Sequence, residues 1–273
     1  NNDWSTPGTL RRSEGGGATG DNHVDTNYNH IGTTYNCYDT LFGRDSFDDR
    51  GSLIRSTVHY GQGYVNAYWD GVQITFGDGD NANSGELGRD LDVVAHEFTH
   101  GVTQFTSQLQ YVNQSGALNE AISDIFGTFV EHSYKDDAKN NWILGEGISL
   151  TATPIRDMIH PTLHQQPANM SQLVKTTQDN GGVHINSGIV NNAMFLMTMG
   201  GTNDTSKVAV SAGLGWDKSQ KVWYRAATKY FAATTDFAGA AQDLALAAAD
   251  LQFTQNEKNI VDCAWIATGV KPG

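Results

Sequence analysis

The stretch "VVAHEFTHGVTQ", residues 93–104, sets two histidines four apart in apolar surroundings, with Glu97 directly after the first. Four residues turn an α-helix through about 400°, so His96 and His100 lie only ~40° apart on one face and can reach a single ion. Leu91, Val94, Phe98, Val102 and Phe105 step by 3, 4, 4 and 3, the spacing of an amphipathic helix that carries the pair beside its apolar stripe. Zinc suits such a site, because it takes nitrogen and carboxylate ligands in a tetrahedron and, where it is catalytic, leaves one corner to water. Glu97 lies about 100° round the helix. It is too far round to ligate with both histidines, but well placed to take a proton from that water. The pattern is H-E-x-x-H.

A third ligand must come from another segment. In "GALNEAISDIFG", residues 116–127, Glu120 and Asp124 stand four apart and share a face of a second helix marked by Leu118, Ile122, Ile125, Phe126 and Phe129. An unpaired carboxylate buried there would be costly, so an acid pair near two histidines reads as ligand plus orienter. Glu120 would complete the metal set. Asp124 would hydrogen-bond the far nitrogen of a ligand histidine and fix its tautomer.

Composition narrows the alternatives. The 273 residues suffice for one large domain or two ordinary ones. A net charge of −13 argues against nucleic acid and anionic membranes as partners, since both call for basic patches. No run reaches the ~18 apolar residues of a membrane span. The first twenty residues, "NNDWSTPGTLRRSEGGGATG", lack the apolar stretch of a signal peptide, so a mature form of a secreted protein is expected. Many Gly, Asn, Ser and Thr with few Lys fit that expectation. Cys37 and Cys263 are too few for a disulfide framework, and whether they pair is left open.

Along the chain, residues 1–22 read as a polar arm. In "TNYNHIGTTYNCYDTLFG", residues 26–43, Ile31, Tyr35, Tyr38 and Phe42 predict a helix. Alternating residues across 54–80 predict strands, with a hairpin at Asp70-Gly71. After the histidines the periods are helical, including a helix after Gly188 and several from Lys218 onward. The fold class is therefore α+β in two lobes: β-rich over 1–110, ending in the His helix, and mainly helical over 111–273, with the active-site cleft expected between them.

Nineteen residues separate His100 from Glu120. "VVAHEFTH" followed at that distance by "NEAISD" resembles the thermolysin family of zinc endopeptidases. The resemblance extends to "NAYW" at 66–69, "GDGD" at 77–80, Tyr111, "PIRDM" at 154–158 and "DNGGVHINSGI" at 179–189, and covers roughly residues 20–273. It implies that His96, His100 and Glu120 ligate catalytic zinc, with Asn119 and Asp124 supporting them from behind. Glu97 would be the base that activates the zinc-bound water. Tyr111 and His184 would stabilise the oxyanion, with Asp179 behind His184. From the residues alone, an aspartate partner favours the imidazolium form of His184 that such a role needs.

The resemblance further implies that Asn66 and the backbone of Ala67 hold an extended peptide by strand addition, and that Arg156 grips a substrate carbonyl. Leu87, Val93, Leu144 and Ile155 would form a pocket favouring a bulky apolar residue after the cleaved bond. Asp92, Glu131, Asn141, Glu146 and the backbone of Ile143 would form a calcium site. Asn141 stands where relatives carry an acid, so one calcium is expected rather than two. The "GDGDNANSGEL" stretch does not read as a calcium loop, because Ala82 and Ser84 occupy ligand positions and Asn83 the glycine position. The short N-terminal section departs from longer relatives.

Protein and peptide substrates and a monomer are expected. One rival, a zinc aminopeptidase, would space its glutamate differently and carry a glycine-rich motif for the free amine. Another, a metal-stabilised binding module without activity, would be expected to lack Glu97, Tyr111 or His184.

Overall fold

The computed structural model describes residues 8–135 and 142–271. They form two compact units, both discontinuous in sequence. Unit 1 comprises the described residues of Asn1–Val102 and Phe126–Ile155, and unit 2 those of Thr103–Ile125 and Arg156–Gly273.

Unit 1 opens with α1, Asn22–Phe42. Asp21 caps it by accepting the Val24 N–H at 3.2 Å, and Gly43, at φ 66°, ends it in the left-handed conformation that glycine tolerates. The helix starts before the apolar period does, because its first turn is polar and its start is marked by the cap. Three strands follow: β1 Ser56–Tyr60, β2 Ala67–Trp69 and β3 Ile74–Gly77. Their order is β1-β3-β2, parallel between β1 and β3 and antiparallel between β2 and β3. The β2–β3 hairpin turns at Asp70-Gly71 as its sequence predicts. The Asp70 carboxylate accepts the Val72 and Gln73 N–H groups, and Gly71 takes φ 99°. β3 is wholly buried at the centre, which leaves β2 on an edge.

The core of unit 1 gathers around Tyr38. Its ring lies against Phe42, Phe98 and Phe126, and its hydroxyl shares a 2.7 Å hydrogen bond with Thr99. Phe47 bridges Phe98 and Trp69. These contacts seat α2, Leu91–Gln104, the helix predicted around the two histidines. α3, Asn113–Tyr134, is the predicted second helix, and its last part belongs to unit 1.

In unit 2, α4 spans Asp179–Met199, α5 Trp216–Lys229, α6 Phe237–Asp250 and α7 Gln255–Ala267. α7 starts with a capping box, in which Thr254 accepts the Glu257 N–H and Glu257 accepts the Thr254 N–H. Trp223 of α5 and Trp265 of α7 are fully buried, with ring centroids 5.9 Å apart. Cys37 and Cys263 are free thiols, and burial pushes the Cys37 thiol up to about 11. No helix among the described residues is long and apolar enough to cross a membrane.

Burial and the Arg89 charge push the α1 residue His30 down to about 4, against 6.5 for an ordinary histidine. The unfolded chain therefore binds this proton more readily than the native one. Stability contributed by neutral His30 is fully present above pH ~6.5 and is lost as pH falls toward about 4. Urea unfolding at about pH 7 and about pH 4.5 should show His30→Gln losing roughly 2 kcal/mol less than the wild type on acidification. Equal losses would contradict this assignment.

Candidate active site

α2 carries His96 and Glu97 on its buried face, with His100 half-buried. The two imidazole Nε2 atoms stand 3.0 Å apart, with the rings edge to face at 84°. Two nitrogens this close, on consecutive turns of one rigid helix, fit two ligands converging on one small cation. The local fold follows from the sequence period, because Val94 and Phe98 are buried completely and hold the helix in place.

Unit 2 gathers a second group of polar side chains. The Tyr111 hydroxyl donates to the Glu120 carboxylate and lies 3.1 Å from His184 Nε2. His184 Nε2 is itself 3.5 Å from Glu120 Oε1. On its other side, His184 Nδ1 meets Asp179 Oδ1 at 2.6 Å, and Asp179 also accepts the His184 N–H at 2.9 Å. Carboxylate, imidazole, phenol and carboxylate therefore form one continuous line.

The local sequence explains how His184 is aimed. Asp179, Asn180, Gly181 and Gly182 all have φ between 48° and 92°. Asp, Asn and Gly are the residue types that tolerate this conformation. A side chain at Gly181 would meet Asn113 Oδ1 at 2.3 Å. Residues 180–182 are not helical, so a kink opens α4 and its regular part starts at Val183, before the apolar period after Gly188.

Glu120 and Asp124 are both buried. Asp124 accepts from Arg156 Nη2 at 2.6 Å and from Asn191 Nδ2 at 2.7 Å. Asp124 thus orients the arginine singled out for substrate binding. Asn191 is a contributor that sequence reasoning missed, since its only signal is a polar residue within an apolar helix. Asn119 donates to the Leu109 carbonyl at 3.1 Å, tying α3 to the segment before it.

The acids expected at a calcium site gather in unit 1. Asp90, Asp92 and Glu146 each offer a carboxylate oxygen within 4.8 Å of the others. Burial drives the Asp92 pKa well above the usual carboxylate range. Asp90, Glu131 and Glu146 push it the same way, against the opposing Gly145 N–H. Burial also raises Asp90, which accepts the Gly147 N–H at 2.8 Å. Carboxylates gathered in this way are a group that could hold a divalent cation. Asp90 was missed in the sequence, and its signal was the D-x-D spacing with Asp92. Ile143 is half-buried, and Asn141 lies outside the described residues. Asp80 of the "GDGD" stretch accepts the N–H groups of Ala82, Asn83 and Ser84, so it organises its own loop.

Among the substrate-binding candidates, Ala67 lies on edge strand β2 paired with Phe76, and the Asn66 carbonyl accepts the Gly77 N–H at 3.0 Å. Leu87, Val93 and Leu144 are interior side chains of unit 1, whereas Ile155 is 46% exposed.

Comparison with known proteins bears on the whole arrangement. Residues 1–104 match the catalytic domain of thermolysin metallopeptidases, and residues 107–270 match the α-helical domain. Thermolysin of Alicyclobacillus acidocaldarius is 45% identical over 192 residues, covering 69% of this chain and 34% of that protein. An extracellular metalloprotease of Pectobacterium carotovorum is 37% identical over 279 residues, covering 97% of this chain and 78% of that protein. The solved structure of the precursor of protealysin, a metalloproteinase from Serratia proteamaculans, gives a TM-score of 0.85 at 35% identity and covers 97% of this chain and 84% of that one. This chain belongs to the thermolysin metallopeptidase family. The matched region spans about a third of the length of the thermolysin relatives.

Adding calcium to metal-stripped protein should raise the thermal midpoint, by an amount equivalent to about 2.7 kcal/mol at a hundredfold excess over the dissociation constant. Asp92→Asn should abolish most of the rise. Calcium-independent melting of the wild type would count against the site.

Proposed function

We propose that this chain is a zinc endopeptidase that hydrolyses internal peptide bonds, with His96, His100 and Glu120 as the zinc ligands and Glu97 as the base. The observation that carries the reading is the pair of Nε2 atoms 3.0 Å apart on α2, with a glutamate directly after the first histidine. Zinc, when bound, supplies Lewis-acid polarisation of the scissile carbonyl and of a water. Glu97 takes a proton from that water and passes it to the leaving amine. Tyr111 and His184 donate to the developing oxyanion, and their mutual 3.1 Å spacing supports this pairing. Asp179 holds His184 in the orientation that donation requires.

Edge strand β2, with Asn66 and Ala67, receives an extended peptide, and Arg156, oriented by Asp124, contacts a substrate carbonyl. Leu87, Val93, Leu144 and Ile155 favour a bulky apolar side chain after the cleaved bond. Asp92, Glu131, Glu146 and Ile143, with Asp90 added, hold one calcium that stabilises the protein. The chain works outside the cell on protein and peptide substrates. An extracellular relative and the acidic, lysine-poor composition support that reading.

The test is cleavage of an internally quenched peptide with Leu after the scissile bond. Cleavage should stop on zinc chelation, return with added zinc, and fall by at least ~10²-fold in Glu97→Gln. A folded, zinc-loaded wild type that leaves the peptide intact would sink the proposal.

Tyr111→Phe and His184→Ala should each lower kcat by about 10²–10³-fold with little change in KM, as expected for groups that act on the transition state. An increase confined to KM would assign them to substrate binding instead.

A further inference from the structure

Unit 1 holds a third cluster of metal-ligating side chains, separate from the His helix and from the acids around Asp92. One ligand atom from each of His23, His59, Asp78 and Glu86 lies within 4.8 Å of the others. The cluster draws on α1, the end of β1, the loop after β3 and the segment before α2, so only the folded unit assembles it.

His59 is set there by a local distortion. Thr57 pairs with Thr75, but Tyr60 pairs with Gly77, so two residues of β1 face a single residue of β3. That is a bulge, which re-aims a side chain, and His59 within it has φ 58°, a conformation rare for a residue with a side chain. The ring is directed at carboxylates on both sides. Its Nδ1 is 2.8 Å and 3.0 Å from the two Asp78 oxygens, and its Nε2 is 3.2 Å and 3.1 Å from those of Asp21.

The hydrogen bonds sort the four members into ligands and supports. The Gly88 N–H donates to His23 Nε2 at 3.1 Å, so the neutral ring carries its proton on Nδ1 and donates it to Asp78 at 3.0 Å. His23 is fully buried and acts as the orienter of Asp78. Asp21 stands behind His59 in the same way, and Arg89 lies 3.2 Å from Glu86 Oε2. Each remaining donor thus has a partner holding it from behind, the arrangement that tunes metal ligands.

We propose that His59 Nδ1, Asp78 and Glu86 form a second divalent-metal site, of the zinc class. One imidazole with two carboxylates suits zinc or cobalt, whereas calcium and magnesium prefer oxygen alone. Side-chain exposures of 41% for His59, 34% for Asp78 and 31% for Glu86 leave the site open to ions from solution. Metal bound there cross-links β1, the loop after β3 and the segment leading into α2, so its effect is on the stability of unit 1.

Zinc alone is the probe. A Glu97→Gln background prevents self-cleavage, and His59→Gln and Glu86→Gln are each added to it. After equilibrium dialysis against micromolar free zinc, elemental analysis should find one zinc more per chain in the parent than in either double variant. The parent should also show a zinc-dependent rise in thermal midpoint that both variants lack. Equal zinc content in all three overturns the proposal and leaves the cluster as an ion-pair staple of His59 between Asp21 and Asp78. Loss of zinc in the His59 variant alone overturns Glu86 as a ligand. Should His59→Gln not fold, Glu86→Gln decides, because that side chain is partly exposed and its removal leaves the His59 pairs intact.

Discussion

Burying a carboxylate costs several kcal/mol unless a cation or well-placed donors repay the lost hydration. Among the described residues five are buried, Asp90, Asp92, Glu97, Glu120 and Asp124, on or beside two successive helices. The surroundings of α2 and α3 answer that cost. Asp124 takes Arg156 and Asn191, Glu120 takes the Tyr111 hydroxyl, and Asp90 and Asp92 take backbone N–H groups of the 145–147 turn. Around Asp92, burial and the neighbouring acids raise the pKa despite the Gly145 N–H.

The same constraint accounts for the fixity of the surrounding parts. His184 is not free to rotate, because Asp179 engages both its ring and its backbone, and four left-handed residues deliver it to that position. The unusual conformations at 179–182 and at His59 both coincide with histidines directed at carboxylates. Strain at such places is retained when the surrounding contacts over-determine it. In unit 1 the hydrophobic counterpart is Tyr38, whose ring and hydroxyl tie α1 to α2.

Much of this was legible in the sequence, because periodicity and short-range spacing encode helices and the i, i+4 ligand pair. α1, α2, α3 and the β2–β3 hairpin follow from local patterns, and His96 and His100 from a single turn of helix. Asp90 was missed because a D-x-D spacing at a helix start also reads as favourable helix-end electrostatics. The His23, His59, Asp78 and Glu86 cluster is assembled from segments up to 63 residues apart, with a bulge in between, and no spacing rule reaches across that. The passage of 126–155 back to the first unit is hidden for a similar reason, since α3 is one continuous apolar helix through the change of unit.

The zinc centre proposed above takes one carboxylate, Glu120, and two imidazoles, His96 and His100. The most direct measurement is zinc retained after dialysis against nanomolar free zinc, compared among the wild type, Glu97→Gln and Glu120→Gln. Wild type and Glu97→Gln should keep one tightly held zinc, and Glu120→Gln should lose it, because only Glu120 is assigned as a ligand. Equal retention by Glu120→Gln would contradict the account and require a different third ligand.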